Sequence, residues 1–374
     1  MIYLDVSAAV HSRAGLGRYS QRLAESLIAD DPSAFGLFYN RGRGGRLPAG
    51  LDQAPSRTVR WGYKPWRMAI LAATITRINF NRLVPEATLF HSTEHLLMPL
   101  SGCPTVLTVH DLIFKIFPKY HKKLNYLYLK LAMPIFCRRA TAIIAVSNAT
   151  RTDIVDNYGI DPDKIHVVYE AAADHFKPQK SDEIDRVRKK YRLPDRYLIH
   201  TGTIEPRKNL ERMLDSLKIL KKSYPTLSLV LAGGKGWLTQ NFYVKIESSG
   251  LSDSVLLLDW VPDGDLPAVI CGAKLAVQPS LYEGFGLPVL EHMACGQVVA
   301  SSSRGSLPEV GGKAAAYFDP EDVNQMVAVI SRLLNDDGER AHRRELGLRQ
   351  ANQFSWGRAA QETREIYNQL LQAQ

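Results

Sequence analysis

Several features are scarce or absent in this chain of 374 residues, and each absence removes a class of protein. No apolar run approaches the roughly 20 residues that a membrane-spanning helix needs. The opening Met1-Ile-Tyr-Leu-Asp5 has neither the basic lead nor the apolar core of a secretory signal. The four cysteines, at positions 103, 137, 271 and 295, are scattered without a Cys-x-x-Cys pair. We therefore expect reduced core thiols in a cytoplasmic protein, and neither a disulfide framework nor a zinc site.

Acidic residues are scarce in the first half of the chain. Residues 1–180 contain 23 Lys and Arg against 14 Asp and Glu, whereas the remainder contains 24 of each. The net charge of +9 therefore lies entirely in the first half, and the partner of that half is expected to be anionic or membrane-bound.

The imbalance is greatest between residues 41 and 82, where nine basic residues face a single acid, Asp52. Trp61, Tyr63, Trp66 and Phe80 are interleaved with them. Three interpretations stay open for this segment. It could bind nucleic acid, although no recognised nucleic-acid motif supports that. It could dock on an anionic membrane surface, or it could be a solvated loop and helix.

Short apolar runs alternate with helical patterns in both halves of the chain. The runs that predict strands are residues 1–6, 35–39, 88–92, 105–109, 141–146 and 164–169, then 196–201, 227–232, 255–258 and 274–278. Strands alternating with helices favour an α/β fold made of two doubly wound, Rossmann-like domains. We expect domains at 1–178 and 179–355, a linker in the polar segment 170–185, and a helical tail at 356–374.

The most informative stretch is Ser280-Leu-Tyr-Glu-Gly-Phe-Gly-Leu-Pro-Val-Leu-Glu-His-Met-Ala-Cys-Gly296, which follows a predicted strand. Its proline and final glycine mark the two ends of a helix. The N–H groups of Phe285, Gly286 and Leu287 then lie at the helix N-terminus, where an anion is favoured. Glu283 precedes the helix and Glu291 lies about two turns beyond, so they could contact different parts of one ligand.

A second motif, Gly202-Thr-Ile-Glu-Pro-Arg-Lys-Asn-Leu210, also joins a strand to a helix. Arg207 and Lys208 stand at the helix N-terminus, where the helix dipole disfavours cations. A pyrophosphate would account for both, because arginine offers a fork and lysine a point charge. Gly202 and, in the next strand-to-turn segment, Gly233 are predicted to border the nucleotide.

Two further sets of candidates lie in the first half. His91 and His110 stand at the carboxyl ends of predicted strands, where open parallel sheets carry their chemistry, and Asp111 follows His110. Gly15 and Gly17 are predicted to form a glycine loop before a helix, although the full dinucleotide-binding fingerprint is absent.

These motifs together resemble the nucleotide-sugar site of the retaining family-four glycosyltransferases, which have the GT-B fold and include bacterial hexosyl- and mannosyltransferases. The residues after Ser280 and the Gly202–Leu210 loop match the donor motifs of that family. Thr108-Val-His-Asp-Leu112 matches its motif for the histidine beside the reacting sugar carbon. The resemblance covers essentially the whole chain.

The resemblance implies two domains facing across a cleft, with a C-terminal helix that crosses back to the first domain. It implies transfer of a hexosyl group from a nucleotide-diphospho-sugar to a glycan or lipid-linked sugar. His110 and Glu283 would lie against the sugar, Glu291 would bind the ribose, and Gly15, Gly17, His91 and Asp111 would line the cleft. No cofactor, metal or nucleic acid is implied.

Some alternatives remain. The chain could be a nucleotide-sugar epimerase, another GT-B enzyme or an inactive sugar-nucleotide-binding protein. Asp161-Pro-Asp163 and Asp263-Gly-Asp265 match the Asp-x-Asp metal motif of another glycosyltransferase fold, but neither follows a buried strand. We interpret both as turns, with Asp263 or Asp265 capping the helix at Leu266.

Overall fold

The computed structural model describes residues 1–11 and 14–373 and separates into two units. The first unit is Met1–Glu170 with Ser355–Gln374, and the second is Ala171–Phe354. The last residue of the predicted tail, Gln374, lies outside the described residues. Among the helices that the structure describes, none is long and apolar enough to cross a membrane.

The first unit is built on a parallel sheet of seven described strands in the order β3-β2-β1-β4-β5-β6-β7. Its strands are β1 Ile2–Asp5, β2 Phe35–Asn40, β3 Ser56–Val59, β4 Leu89–Ser92, β5 Thr105–Val109, β6 Ala142–Ala145 and β7 Ile165–Val167. Its helices are α1 Ser7–Val10, α2 Ala14–Asp30, α3 Tyr63–Thr76, α4 Ile113–Ile116, α5 Lys123–Arg139, α6 Asn148–Tyr158 and the tail helix α15 Trp356–Gln372.

The second unit has a parallel sheet of six strands in the order β10-β9-β8-β11-β12-β13. The strands are β8 Tyr197–Thr201, β9 Ser228–Ala232, β10 Val255–Leu257, β11 Leu275–Gln278, β12 Val299–Ser302 and β13 Ala316–Phe318. The helices are α7 Ser181–Tyr191, α8 Leu210–Leu220, α9 Gln240–Ser248, α10 Leu266–Cys271, α11 Leu287–Ala294, α12 Leu307–Gly311, α13 Val323–Asn335 and α14 Asp337–Ala351.

These two sheets confirm the predicted fold class of two doubly wound α/β domains. Each unit has its own apolar core, because strands covered on both faces by helices need apolar side chains on both faces. Sequence patterns missed β3, β12 and β13. Three of the four β3 residues are exposed, so this edge strand lacks the apolar run that marks a buried one.

One local prediction was wrong. Gly15 and Gly17 lie in the first turn of α2, which begins at Ala14, and therefore not in a loop before the helix. Asp265 stands at the N-cap of α10, but its side chain makes no capping hydrogen bond. It pairs instead with Arg186 at 2.5 Å and Lys190 at 2.6 Å, because two cations from α7 satisfy a carboxylate better than one backbone N–H.

The tail helix α15 is fastened to the first unit by a buried chain of hydrogen bonds. The Tyr367 hydroxyl lies 2.5 Å from Nδ1 of His91, and Nε2 of His91 lies 2.7 Å from Oγ1 of Thr108. Thr108 in turn contacts the Tyr19 hydroxyl on α2 at 3.0 Å. Because a buried polar group left unpaired costs free energy, this series of hydrogen bonds fixes α15 against the sheet.

In the second unit, the turns after β8 and β9 touch backbone to backbone. The Gly202 N–H donates to the Ala232 carbonyl and the Ile204 N–H to the Gly234 carbonyl, each at 3.0 Å. A Cβ on Gly233 would lie 1.9 Å from the Gly202 carbonyl oxygen, whereas one on Gly234 would meet nothing within 4 Å. Only glycine therefore fits at position 233.

We expect Gly233→Ala to destabilise the second unit, because the clash is with backbone that cannot rotate away. Such overpacking costs about 1–3 kcal/mol, which lowers the melting midpoint by about 2–4 °C per kcal/mol. Gly234→Ala is the matched control, with an expected change within about 0.5 kcal/mol. Equal melting midpoints for the two variants would contradict the close contact at Gly233.

Candidate functional site

The two predicted donor motifs of the second unit lie at the same point of its sheet. β8 and β11 are neighbours at the centre, and the strand order runs outward from them in opposite directions. In open parallel sheets, ligands bind beyond the carboxyl ends of the strands at such a reversal. β8 leads into the loop with Gly202, Arg207 and Lys208, and β11 leads into the loop with Glu283.

Hydrogen bonds within the chain hold the loop after β8 in place. The Arg207 carbonyl accepts a hydrogen bond from the Leu281 N–H at 2.9 Å, which ties it to the loop after β11. Asn209 adopts a left-handed conformation, with φ of 58°, at the start of α8. Its side-chain amide donates to the carbonyls of Pro279 at 3.0 Å and Pro320 at 2.7 Å. Arg207 and Lys208 are therefore presented from a fixed turn.

The two cations converge on Glu283. Lys208 Nζ donates to Glu283 Oε1 at 2.6 Å, and an Arg207 nitrogen pairs with Glu283 Oε2. Arg207 also donates to Glu205 Oε1 at 2.5 Å and to the Tyr282 carbonyl at 3.1 Å. We call Glu205, Arg207, Lys208 and Glu283 the ion cluster.

Three members of the ion cluster are buried, Arg207 is half-buried, and the formal charges of the four cancel. Glu283 and Lys208 are each 6% exposed. Burial by itself raises the pKa of Glu283, but Arg207 and Lys208 outweigh burial and hold that pKa well below its usual value. Burial lowers the pKa of Lys208, and the attraction of Glu283 offsets this only in part. The carboxylate thus stays ionised and keeps the two neighbouring cations together.

Two polar side chains at the end of β11 complete the surroundings of Glu283. Ser280 Oγ donates to Glu283 Oε1 at 2.6 Å, and Gln278 Nε2 donates to the same oxygen at 3.0 Å. Sequence reasoning did not single out Gln278, Ser280 or Glu205. A signal was present for Gln278, because it is a polar residue closing an otherwise apolar strand.

The helix α11 begins where the sequence predicted, immediately after Gly286, whose φ is +106°. Ser306 secures the preceding loop, because its Oγ lies 2.5 Å from the Phe285 carbonyl oxygen and 3.0 Å from the Glu283 carbonyl oxygen. A Cβ on Gly286 would lie 2.8 Å from a Leu307 methyl, so both conformation and space require glycine. This loop brings the N-terminus of α11, at Leu287, next to the residue that organises the ion cluster.

Glu291 is buried in α11 at 4% exposure. Two buried histidines, His292 and His200, lie near each other in the same unit. His292 contacts Thr201 Oγ1 at 3.0 Å through Nε2, and His200 Nδ1 lies 3.0 Å from the Val277 carbonyl. Burial lowers the pKa of His292 to about 3 and that of His200 to about 4, so both are neutral near pH 7. Neither was predicted, since a histidine within an apolar run has no distinguishing pattern.

In the first unit, His110 follows β5 and has an acceptor at each ring nitrogen. Nδ1 lies 3.1 Å from Glu170 Oε1, and Nε2 lies 3.0 Å from the Thr93 carbonyl oxygen. Burial by itself lowers the pKa of His110, but Glu170 and the Thr93 carbonyl outweigh it and raise that pKa above its usual value. Both nitrogens are therefore suited to donating a proton to a hydrogen bond, and neither is suited to removing one.

The remaining first-unit candidates, His91 and Asp111, have partners within the first unit. His91 is fully buried between Tyr367 and Thr108, and burial lowers its pKa to about 3. Asp111 accepts a hydrogen bond from the Ile113 N–H at 3.0 Å at the start of α4. Glu170, which sequence reasoning missed, lies in the segment predicted as linker, where a glutamate gives no signal of its own.

Family models match both units. The model described as "Glycosyltransferase Family 4" matches residues 13–172, and the model described as "Glycosyl transferases group 1" matches residues 181–350. The second match contains both loops of the ion cluster and all of α11.

Individual proteins match as well. The chain is 31% identical over 373 residues to the O-antigen chain mannosyltransferase B of Escherichia coli, covering 95% of this chain and 96% of that relative. It is 33% identical over 242 residues to the serotype-specific mannosyltransferase WbdA of Escherichia coli, covering 63% of this chain but only 29% of that longer relative.

Among solved structures, HepE of Anabaena in complex with UDP and glucose has a TM-score of 0.75 at 17% identity. The match covers 98% of this chain and 99% of that one, which shows a shared GT-B fold. With two family models and a relative matched from end to end, the chain belongs to the family-4 glycosyltransferases of GT-B fold.

Proposed function

We propose that the chain transfers a hexosyl group from a nucleotide-diphospho-sugar to a glycan or lipid-linked sugar acceptor, with retention of configuration and without a metal ion. The observation that carries this proposal is the ion cluster beside the N-terminus of α11, at the strand reversal of the second sheet.

The ion cluster suits the charge that develops on a departing diphosphate. Arg207 and Lys208 already stand together, so little reorganisation is needed when negative charge grows on the leaving group. When phosphate oxygens accept the hydrogen bonds of Arg207 and Lys208, Glu283 can instead accept hydrogen bonds from sugar hydroxyls. Glu291, further along α11, binds the ribose.

The hydrogen bonds of the two residues proposed to contact the sugar favour retention. Ser280 and Gln278 still donate to Glu283 Oε1 when the two cations turn to phosphate, so Glu283 stays a poor nucleophile. His110 faces an acceptor at both ring nitrogens, so it is a poor general base. The departing phosphate then takes the acceptor proton, and attack comes from the face that the phosphate leaves.

The relatives support the sugar and the acceptor. Those named above are an O-antigen chain mannosyltransferase and a serotype-specific mannosyltransferase. HepE, bound to UDP and glucose, supports a nucleotide-sugar as donor. We therefore extend the proposal to mannose as the hexose and a growing polysaccharide as the acceptor.

The direct experiment begins with a screen of UDP-, GDP- and ADP-linked sugars for thermal stabilisation of the full chain, since a ligand of the native state raises its melting midpoint. The donor that stabilises most is then incubated with a mannose-terminated oligosaccharide, and the new linkage is analysed by NMR. An α-linked donor should give an α-linked product. A β-linked product would contradict retention, and isomerised donor without transfer would indicate an epimerase.

The same assay tests metal independence. We expect EDTA to leave the rate nearly unchanged, because Arg207 and Lys208 supply the positive charge that a divalent ion would otherwise provide. Complete inactivation that magnesium or manganese reverses would refute this part of the proposal.

The ion cluster makes a further prediction for Glu283→Gln. Removing one partner of a buried ion pair costs about 3–5 kcal/mol, so the free variant should melt well below the unmodified chain. A nucleoside diphosphate restores the missing negative charge, and it should raise the variant's melting midpoint more than it raises that of the unmodified chain. The value of kcat should fall about tenfold to a thousandfold, because a contact to the reacting sugar is lost.

Glu291→Gln is the matched control, since it also changes a buried carboxylate to an amide. Its assigned partner is the ribose, which does not change during the reaction. We expect a higher donor KM and weaker diphosphate binding with kcat retained. If the diphosphate stabilises the Glu291 variant normally and the Glu283 variant poorly, the two assignments are reversed.

A further inference from the structure

Two helices of the first unit, α3 and α5, leave large apolar side chains in solvent. Between 54% and 78% of each of these side chains is exposed, on or just after α3 and along α5: Met68, Ile75, Ile78, Leu124, Leu127 and Leu131. We call these six residues the apolar strip. A solvated helix face normally carries polar residues, so an apolar strip of this length indicates a partner.

The two parts of the apolar strip face the same side. α3 and α5 are linked by hydrogen bonds near both ends and run in the same direction. Arg67 near the start of α3 donates to Asn125 near the start of α5, and Arg139 at the end of α5 donates to the Thr74 carbonyl near the end of α3. On α3, the exposed Met68 and Ile75 each come one position after a residue bonded to α5, namely Arg67 and Thr74. On α5, the exposed Leu124 and Leu127 each come one position before a residue bonded to α3, namely Asn125 and Tyr128. One position along a helix is about 100° of rotation. Because the exposed residues come after the bonded ones on α3 and before them on α5, the exposed faces of these two parallel helices point to the same side.

The surroundings of the apolar strip are positively charged. Neither α3 nor α5 contains an acidic residue, whereas together they contain six basic ones: Lys64, Arg67, Lys123, Lys130, Arg138 and Arg139. Lys122 is exposed immediately before α5. At the same end of the surface, just before and at the start of α3, Trp61 is 48% exposed and Tyr63 is 40% exposed.

Exposed leucines between lysines, with aromatic rings at one end, are the pattern of helices that lie in the headgroup layer of a membrane. Lysine stems can lie along apolar surface while their ammonium groups reach anionic headgroups. A second copy of the chain fits less well. A symmetric dimer would place the same positive surface against itself, where like charges repel.

We propose that the apolar strip and the basic residues around it dock the first unit onto an anionic membrane surface. Among the interpretations that the basic segment 41–82 left open, this one selects membrane docking and adds α5, which that segment does not include. The proposal depends on the surface of the first unit and is independent of the donor chemistry.

The test is flotation of the full chain with vesicles of phosphatidylcholine alone and of phosphatidylcholine mixed with phosphatidylglycerol. The chain should bind the mixed vesicles and be released as salt screens the charges. The combined change Lys122→Gln, Lys123→Gln and Lys130→Gln should weaken binding to mixed vesicles about a hundredfold, given the contribution of each lysine near an anionic surface. Leu124→Gln, Leu127→Gln and Leu131→Gln together should weaken it at least about tenfold.

Matched controls come from exposed residues of the second unit. Ile219→Gln, Leu238→Gln and Val244→Gln remove three exposed apolar side chains, and Lys177→Gln, Lys218→Gln and Lys222→Gln remove three exposed charges. Neither control should change vesicle binding. All four variants should keep the melting midpoint of the unmodified chain, because every altered side chain is exposed.

Three outcomes would overturn the proposal. One is equal binding to neutral and anionic vesicles, and another is strip variants that bind like their controls. The third is a dimer in light scattering that the leucine variant converts to a monomer without any change in vesicle binding, which would make the strip a contact between copies.

Discussion

The arrangement of the second unit depends on the attraction between one buried carboxylate, Glu283, and two adjacent cations. Arg207 and Lys208 are neighbours on a tight turn, where their charges would repel each other in a poorly hydrated site. Glu283 balances them and joins the loop after β11 to the loop after β8. In the proposed mechanism, Glu283 neutralises the two cations until the donor binds, and the negative charge of the diphosphate then takes its place.

The first unit also pairs a buried carboxylate with a basic side chain, the imidazole of His110. Glu170, itself buried, raises the pKa of His110 and fixes the orientation of its ring. The second ring nitrogen is held by a backbone carbonyl, so the imidazole is positioned by the sheet and by the segment after β7 together. Each unit thus orients a basic side chain by pairing it with a buried carboxylate that is distant in sequence.

Much of this organisation was predictable, because local patterns determine local structure. Glycine and proline marked both ends of α11, and apolar runs marked the buried strands, so the loops with Arg207 and Glu283 were located correctly. The ion pair between them was not predictable, since it joins residues 76 positions apart in the chain. The exposure of Leu124 and Leu131 on α5 was not predictable either, because only tertiary packing decides which face of a helix is in solvent.

The most direct test of the central role of the ion cluster is the difference electron density of a nucleoside diphosphate bound to the full chain. The account predicts phosphate oxygens within about 2.7–3.2 Å of the side-chain nitrogens of Arg207 and Lys208. At least one of these nitrogens should donate its hydrogen bond to phosphate in place of Glu283. A diphosphate bound elsewhere, with both cations still paired to Glu283, would contradict it.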